Sequence, residues 1–191
     1  MPYPDPAALA FLETRRSYPS KTMVAPAPSV EAVMDLLRVA ARVPDHGKLE
    51  PWRFVVLTRP ALARLADLGE ARARETGGDE EKVAKGRGQF DRGLIAVAVI
   101  FSPKPSDKVP EIEQLLSAGA LCQNLLNAAQ AAGWAANWIT GWPAHDPVWA
   151  ARALDLAPQE RVAGFIYLGS EGPAVPDRPR PDVRRLTRIA E

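Results

Sequence analysis

The chain has 191 residues, of which 47% are hydrophobic and 25% charged, and its formal net charge is +1. That length supports one sizeable hydrophobic core and is short for two. The near-neutral charge argues against a nucleic-acid-binding protein, which normally carries a basic excess. The single cysteine excludes an internal disulfide framework, and there is no signal-peptide pattern or long apolar run. We therefore expect a cytoplasmic protein without a membrane segment.

The first half of the chain alternates helix signals with one apolar strand. Asp5-Pro6 has the form of a helix cap followed by a proline in the first turn, which predicts a helix over 7–16. Ser29 begins a second helix, whose apolar residues recur at i, i+3, i+4 and i+7, and Pro44 ends it. The apolar run that follows predicts a strand over 53–58.

The second half predicts three more strands and the longest helix. Thr58 and Pro60 begin a third helix, after which the polar, glycine-spaced segment Lys82–Gly93 is predicted to be a mobile surface excursion. Residues 111–133 form a helix that is apolar around most of its circumference, so it is buried or shared between subunits. Apolar runs predict the remaining strands at 94–102, 135–140 and 161–169.

Four strands that alternate with helices predict an α+β or α/β arrangement around one sheet. The helices outnumber what one face of four strands requires, so we expect part of the helical surface to be a subunit interface. From about residue 170 the tail has prolines at 173, 176, 179 and 181, which predicts an extended segment. No repeat or second domain is evident, and we assign residues 1–191 to one domain.

A polar turn between the second helix and the first strand concentrates ionisable side chains. Within residues 42–50 the sequence places Arg42, Asp45, His46, Lys48 and Glu50. A turn that only connected two elements would not need so many charged groups. We interpret this segment as one wall of a ligand site.

A second charged group, at the end of the first helix, has two interpretations. Cations at a helix C-terminus complement the helix dipole, which would make Arg15 and Arg16 a stabilising cap. Two guanidiniums beside the hydroxyl of Ser17 also suit a phosphate, through several charge-assisted hydrogen bonds. The sequence leaves both open.

Most catalytic classes are excluded by the residues present. Two histidines about a hundred residues apart and one cysteine do not supply the usual metal-ligand cluster. There is no Gly-x-Ser-x-Gly for a hydrolase, no P-loop and no Rossmann glycine set. Chemistry without an evident protein acid or nucleophile is most easily supplied by a cofactor.

Five sequence blocks, in this order, resemble the nitroreductase family of FMN flavoproteins and in particular its short members. They are Arg15–Ser17, Ala41–His46, Glu50–Val56, Asn137–Gly141 and Gly164–Gly169. The blocks span nearly the whole chain. The sequence departs from the common family pattern at Asp45, Lys48 and Glu50, where serine and asparagine are usual, and at Pro19, where another arginine is usual.

The resemblance implies an α+β fold with a central mixed sheet wrapped by helices, an obligate homodimer, and FMN in each of two interface pockets. Against the flavin phosphate and ribityl chain it places Arg15, Arg16 and Ser17, with Arg180 of the tail nearby. From the partner subunit Arg42 and His46 would reach the same flavin, and Lys48, where the sequence departs from the family pattern, could substitute as a donor to its ring. Along the isoalloxazine would run Trp138, Ile139, Thr140 and Gly141.

The implied activity is that of an FMN-dependent oxidoreductase. NADH or NADPH would reduce the flavin by hydride transfer and leave, and a small electron-poor acceptor such as a nitroaromatic or quinone would then take its place in a ping-pong scheme. A flavin enzyme with a specialised substrate, for dehalogenation or dehydrogenation, would share the pocket, and residues 77–93 are the only candidate lid. A non-catalytic flavin-binding protein is the other alternative.

Overall fold

A computed structural model describes residues 3–190, which form four strands and seven helices. The helices are α1 Pro6–Thr14, α2 Val30–Ala40, α3 Arg59–Glu75, α4 Glu80–Asp91, α5 Glu111–Ala131, α6 Pro147–Leu154 and α7 Val183–Leu186. The strands are β1 Trp52–Leu57, β2 Ile95–Phe101, β3 Ala135–Ile139 and β4 Arg161–Gly169. Among these residues no helix combines the length and apolarity needed to cross a membrane.

The four strands form one sheet in the order β1-β2-β4-β3. Each predicted strand is confirmed to within one residue at either end. The central strand β2 is buried on both faces, with Ala96, Ala98 and Ile100 facing one core and the alternate residues facing the other. This two-sided burial explains why its sequence is an unbroken apolar run.

The mixed sheet implied by the resemblance is wrong for the described strands, because all three pairings are antiparallel. Leu57 at the end of β1 pairs with Ala96 at the start of β2, so the connection through α3 and α4 leaves and returns at the same end of the sheet. The connection from β3 to β4 through α6 does the same. Apolar runs locate strands but carry no information about their direction. The α+β class itself is confirmed.

Two helical layers cover the sheet. On one face α3, α4 and α6 pack over a core that includes Phe90, Trp149 and Phe165. On the other face α2 and α5 pack over a second core, in which Cys122 is fully buried among leucines. The helix predicted for residues 111–133, as buried or shared between subunits, is α5, which buries one side in this core and leaves Ile112 and Leu116 exposed.

The segment predicted to be a mobile excursion is instead a packed helix, α4. Asp79 caps its start by accepting a hydrogen bond from the backbone N–H of Lys82 at 2.8 Å, and Val83 and Phe90 are buried. The prediction was wrong because the glycines and charges lower helix propensity, whereas burial of the apolar side chains overrides that local preference.

Glycines allow α3 and α4 to approach at backbone distance. A Cβ atom on Gly86 would lie 2.9 Å from the carbonyl oxygen of Gly69, and one on Gly69 would lie 2.6 Å from that of Gly86. A side chain at either position would push the helices apart. Gly86 is thus a packing residue rather than a sign of a flexible loop.

The two ends of the chain run over the surface beside β3. Helix α1 ends at Thr14, two residues before the predicted end, so Arg15 and Arg16 follow the helix and do not lie in its last turn. The tail has no regular element between 171 and 182, as the prolines predict, and then forms the short helix α7.

Candidate functional site

The N-terminal and C-terminal segments meet at a cluster of cationic side chains, here called the arginine cluster. It surrounds a cavity of about 110 Å³ lined by Arg15, Arg16, Ser17, Pro19, Val175, Pro176, Asp177, Arg178 and Arg180. The consecutive predicted site residues Arg15, Arg16 and Ser17 are therefore brought together with Arg180, which is distant in sequence. Because four arginines face one aspartate, the cavity suits an anion.

Within the arginine cluster, Asp177 already acts as an internal anion. Its Oδ1 accepts a hydrogen bond from Nη2 of Arg180 at 2.9 Å and lies 3.9 Å from Nη2 of Arg16. Arg16 also donates from Nη1 to the carbonyl oxygen of Val175 at 2.5 Å, which fixes the tail against the start of the chain. Arg15 is itself the C-cap residue of α1, where its backbone N–H donates to the carbonyl oxygen of Phe11 at 2.9 Å, and its side chain also lines the cavity.

A second cavity, of about 290 Å³, adjoins the arginine cluster and shares Arg15 with it. Aromatic side chains of Phe11, Tyr18 and Trp134 line it together with Gln130. Within residues 3–190, the buried atoms Nε of Arg15 and Nε2 of Gln130 have no hydrogen-bond acceptor. Buried donors normally find a partner, so these two atoms favour a ligand that carries oxygen acceptors.

Sequence reasoning missed Gln130 and Asp177. Gln130 is held by its own contact, since its Oε1 accepts the backbone N–H of Arg16 at 3.2 Å. The only signal in the sequence was a glutamine among the alanines near the end of an apolar helix. Asp177 lies in the proline-rich tail, where nothing in the pattern marked it.

The predicted site residues Trp138, Ile139, Thr140 and Gly141 form a second group at the C-terminal end of β3. Tyr18 donates its backbone N–H to the carbonyl of Ala136 at 3.0 Å, so the segment after α1 runs beside the start of β3. At the other end, Nε1 of Trp138 donates to the carbonyl of Ala163 at 3.2 Å, and its indole covers Gly164. A Cβ atom on Gly164 would lie 2.0 Å from that nitrogen, so only glycine leaves room for the ring.

Beyond β3, the turn from Thr140 to Trp142 is held by α4. The carbonyl oxygen of Thr140 accepts a hydrogen bond from Nε2 of Gln89 at 2.6 Å. Gly141 has a φ of 66°, in the left-handed region that favours glycine. Ile139, the last residue of β3, packs partly buried against the core beneath this turn.

The polar turn of residues 42–50 is organised by Asp45. Its carboxylate accepts the backbone N–H groups of Leu49 at 3.2 Å and Glu50 at 2.8 Å. Lys48 and Glu50 both have left-handed backbones, with φ values of 54° and 49°, which is uncommon for residues other than glycine. Asp45 stabilises this strained path, which explains one departure from the family pattern.

His46 lies at the exposed end of the polar turn. Its Nδ1 is 2.7 Å from Oε2 of Glu113, and 60% of its side chain is exposed. With Pro44, Leu116 and Ser117 it lines a cavity of about 350 Å³ on α5. Within one chain this cavity is separate from the arginine cluster, so the structure does not bring Arg42, His46 or Lys48 to Arg16.

The titratable groups of the interior do not supply an acid or a nucleophile. Burial raises the pKa of the Cys122 thiol to about 12 and raises that of the Tyr167 hydroxyl. Both groups therefore stay protonated at neutral pH. Among the described residues, neither Cys122 nor Tyr167 is therefore an activated nucleophile.

Comparison with known protein sequences identifies the family. The model of the Nitroreductase family matches residues 12–170. YdjA of Escherichia coli K12, a candidate NAD(P)H nitroreductase, is 32% identical over 163 residues, which cover 85% of this chain and 87% of YdjA. A candidate NAD(P)H nitroreductase of Haemophilus influenzae is 36% identical over 165 residues, covering 85% and 88%.

Solved structures agree on the fold. A nitroreductase-like family protein of Bacillus cereus superposes with a TM-score of 0.79 at 22% identity, covering 100% of this chain and 99% of that one. A Bacteroides fragilis nitroreductase with bound FMN gives a TM-score of 0.72 at 18% identity, with 95% and 98% covered. The resemblance seen in the five sequence blocks is confirmed: the chain belongs to the Nitroreductase family.

Proposed function

We propose that this chain is an FMN-dependent oxidoreductase that takes electrons from NADH or NADPH and reduces an electron-poor acceptor such as a nitroaromatic or a quinone. The arginine cluster carries the proposal, because it gathers Arg15, Arg16, Ser17 and Arg180 at one cavity beside β3. The relatives named as candidate NAD(P)H nitroreductases and the FMN-bound structural neighbour support the choice of donor and cofactor.

The residues of the arginine cluster fit the phosphate of FMN. A phosphate dianion prefers guanidiniums that donate several charge-assisted hydrogen bonds. Arg180 hydrogen-bonds to the carboxylate of Asp177 at 2.9 Å and Arg16 lies 3.9 Å from the same oxygen, which supports a site where both guanidiniums approach one anion. Arg15 adds a buried Nε without an acceptor among the described residues.

The end of β3 fits the flat ring of a flavin. Trp138 and Ile139 offer apolar surface, and Thr140 and Gly141 offer backbone groups at the rim. When bound, FMN would supply the hydride-transfer chemistry, so the chain's own residues would bind and orient the reactants and exclude water. Because the cofactor would supply the reactivity, the proposed reaction requires no protein nucleophile, which agrees with the protonated thiol of Cys122.

A homodimer would complete the site. Large apolar side chains are exposed on three helices and on the tail, at Leu9, Leu12, Met34, Ile112, Leu116, Val183, Leu186 and Ile189. An apolar surface of this extent favours a protein partner. We propose that a second copy covers it, and that Arg42, His46 and Lys48 then face the flavin bound by the other subunit.

The structure lessens the case for a specialised substrate. That alternative relied on residues 77–93 as a lid, whereas α4 is packed on α3 through Gly86 and on the core through Phe90. A helix fixed in this way is not a free lid.

The absorption spectrum of the purified protein tests the proposal directly. We expect flavin bands, or their appearance when the colourless protein is mixed with FMN. Riboflavin is the matched control ligand, since it lacks only the phosphate, and we expect it to bind at least tenfold more weakly, in line with the loss of about 1.5–3 kcal/mol per charge-assisted contact. A protein that binds neither ligand, or both equally, contradicts the assignment of the arginine cluster.

Turnover assays test the reaction class. NADH or NADPH oxidation should depend on an added nitroaromatic or quinone. A protein that retains FMN but oxidises neither donor with any acceptor would be a flavin-binding protein without this activity.

A further inference from the structure

Three residues on one face of α4 contact the turn after β3. Nζ of Lys82 lies 5.4 Å from the ring centroid of Trp142, and a Cβ atom on Gly86 would lie 2.6 Å from Cζ2 of the same ring. Gln89 donates from Nε2 to the carbonyl oxygen of Thr140 at 2.6 Å. The spacing i, i+4 and i+7 places all three on one side of the helix.

The contact with Gln89 shows which way the Thr140–Gly141 peptide points. The one cis peptide bond of the described chain is Ala25–Pro26, so Thr140–Gly141 is trans and its C=O and N–H groups point in opposite directions. Because the carbonyl points at α4, the N–H of Gly141 points away from α4. Among residues 3–190 that N–H has no acceptor.

Two other residues lie close to Gln89, one at its backbone and one at its side-chain amide. Its backbone carbonyl accepts a hydrogen bond from the hydroxyl of Tyr167 at 2.8 Å, and Tyr167 is 1% exposed. A Cβ atom on Gly141 would lie only 1.8 Å from Oε1 of Gln89. Glycine at 141 therefore leaves the space that the amide of Gln89 occupies.

We propose that Gln89 is a positioning residue of the flavin site, which acts through the Thr140–Gly141 peptide. By holding the carbonyl of Thr140, it presents the N–H of Gly141 as a fixed donor on the side of the turn that faces away from α4. This inference rests on the proposed function, in which the end of β3 borders FMN. A donor fixed before reduction stabilises the negative charge that the flavin gains, since no reorganisation is needed when the charge appears.

The test compares Gln89→Leu with Tyr167→Phe. Leucine keeps the approximate size of glutamine and removes its donor, whereas phenylalanine removes the hydrogen bond to the backbone of residue 89 and leaves its amide in place. For each FMN-loaded protein we would measure the affinity for oxidised FMN and the midpoint potential of the bound flavin. A crystal structure of each FMN-free variant would show the direction of the Thr140 carbonyl.

With Gln89→Leu we expect the affinity for oxidised FMN to change less than threefold, while reduced FMN is held about tenfold less tightly than oxidised FMN relative to the wild type. For a two-electron couple that factor lowers the potential by about 30 mV. Tyr167→Phe should leave the potential unchanged. An unchanged potential in Gln89→Leu, or an equal fall in both variants, overturns the proposal.

Failure of the proposed function would look different. If the wild type binds no FMN, the assignment of the cofactor fails, and the proposed role towards a flavin fails with it. The crystal structures then still report on Gln89: a Thr140 carbonyl that keeps its direction in Gln89→Leu shows that this side chain does not orient the peptide.

Discussion

The guanidinium of Arg53 donates two parallel hydrogen bonds to the carboxylate of Glu160, from Nε to Oε1 at 2.8 Å and from Nη2 to Oε2 at 2.7 Å. The pair ties the edge strand β1 to the residue just before β4, across the intervening strand β2. Only 7% of the Glu160 side chain is exposed. The hydrogen bonds from Arg53 therefore lower the pKa of Glu160 to about 2, against an ordinary value of 4.5.

This lowered pKa predicts a loss of stability in acid. In the unfolded chain Glu160 takes up a proton near pH 4.5, whereas in the folded protein it stays ionised down to about pH 2. The contribution of ionised Glu160 to the free energy of unfolding is therefore complete above pH 4.5 and is lost as the pH falls from 4.5 towards 2. We expect Glu160→Gln to lower the free energy of unfolding at pH 7 by about 1–3 kcal/mol.

Urea unfolding across that pH range measures the effect. The difference in unfolding free energy between the wild type and Glu160→Gln should shrink as the pH falls below 4.5. A difference that stays constant down to pH 2 would show that the carboxylate is not held ionised by Arg53.

Arg16→Ala should weaken FMN binding while leaving the fold intact. The variant removes one guanidinium from the arginine cluster, and the loss of a charge-assisted contact costs about 1.5–3 kcal/mol, or roughly 10- to 100-fold in dissociation constant. Equilibrium dialysis of free and bound flavin measures it. Arg74→Ala on α3 is the matched control, since among residues 3–190 the Arg74 guanidinium pairs with Glu70 and Glu80 at the surface, away from the arginine cluster. Equal flavin retention in the two variants would remove Arg16 from the phosphate site.

Leu116→Glu should dissociate the proposed homodimer. Leu116 lies on α5, lines the same cavity as His46 and is 65% exposed. A charge at this position would be buried without a partner at the proposed apolar interface. Light scattering after size-exclusion chromatography should give a dimer for the wild type and a monomer for the variant. The variant should also contain less bound flavin. Ala84→Glu, at an exposed position of α4, should remain a dimer. A monomeric wild type would refute the shared site.

Two glycines of α4 should respond oppositely to alanine. In Gly86→Ala the new Cβ would meet Trp142 at 2.6 Å and the backbone of Gly69 at 2.9 Å, so we expect a loss of about 1–3 kcal/mol in unfolding free energy. In Gly88→Ala it would meet only the end of the flexible Arg92 side chain, and the higher helix propensity of alanine should stabilise the protein by about 0.5–1 kcal/mol. Thermal unfolding of both variants measures these two changes in stability. Equal effects would contradict the close approach of the helices.

The sequence located the strands well because burial on both faces leaves an unbroken apolar run, as in β2. It could not give their directions, which depend on where each helical connection returns. It also misjudged α4, because the stabilising contacts of Phe90 lie with residues such as Trp149 on α6, far along the chain.

The candidate site likewise contains residues that were identified from the sequence and residues that were missed. Arg15 and Arg16 were proposed because guanidiniums suit a phosphate, and Arg180 was proposed from the family resemblance; the three lie at one cavity. Gln130 and Gln89 were missed because a glutamine gains its role only from a partner distant in sequence; Gln89 and Thr140 are 51 residues apart. Asp45 was recognised as unusual, but its task of holding the amides of the polar turn required coordinates.

The backbone contact between Gly69 and Gly86 has a mechanical consequence. Side chains normally separate two helices and can change rotamer when one helix shifts, but here carbonyl groups meet the opposing backbone directly. Helix α3 starts two residues after β1, which follows the polar turn, and α4 ends at the residues that hold Thr140. A displacement of the polar turn would therefore pass along β1, α3 and α4 to Gly141 with no layer of side chains between the two helices, which would link the proposed subunit interface stiffly to the proposed flavin site.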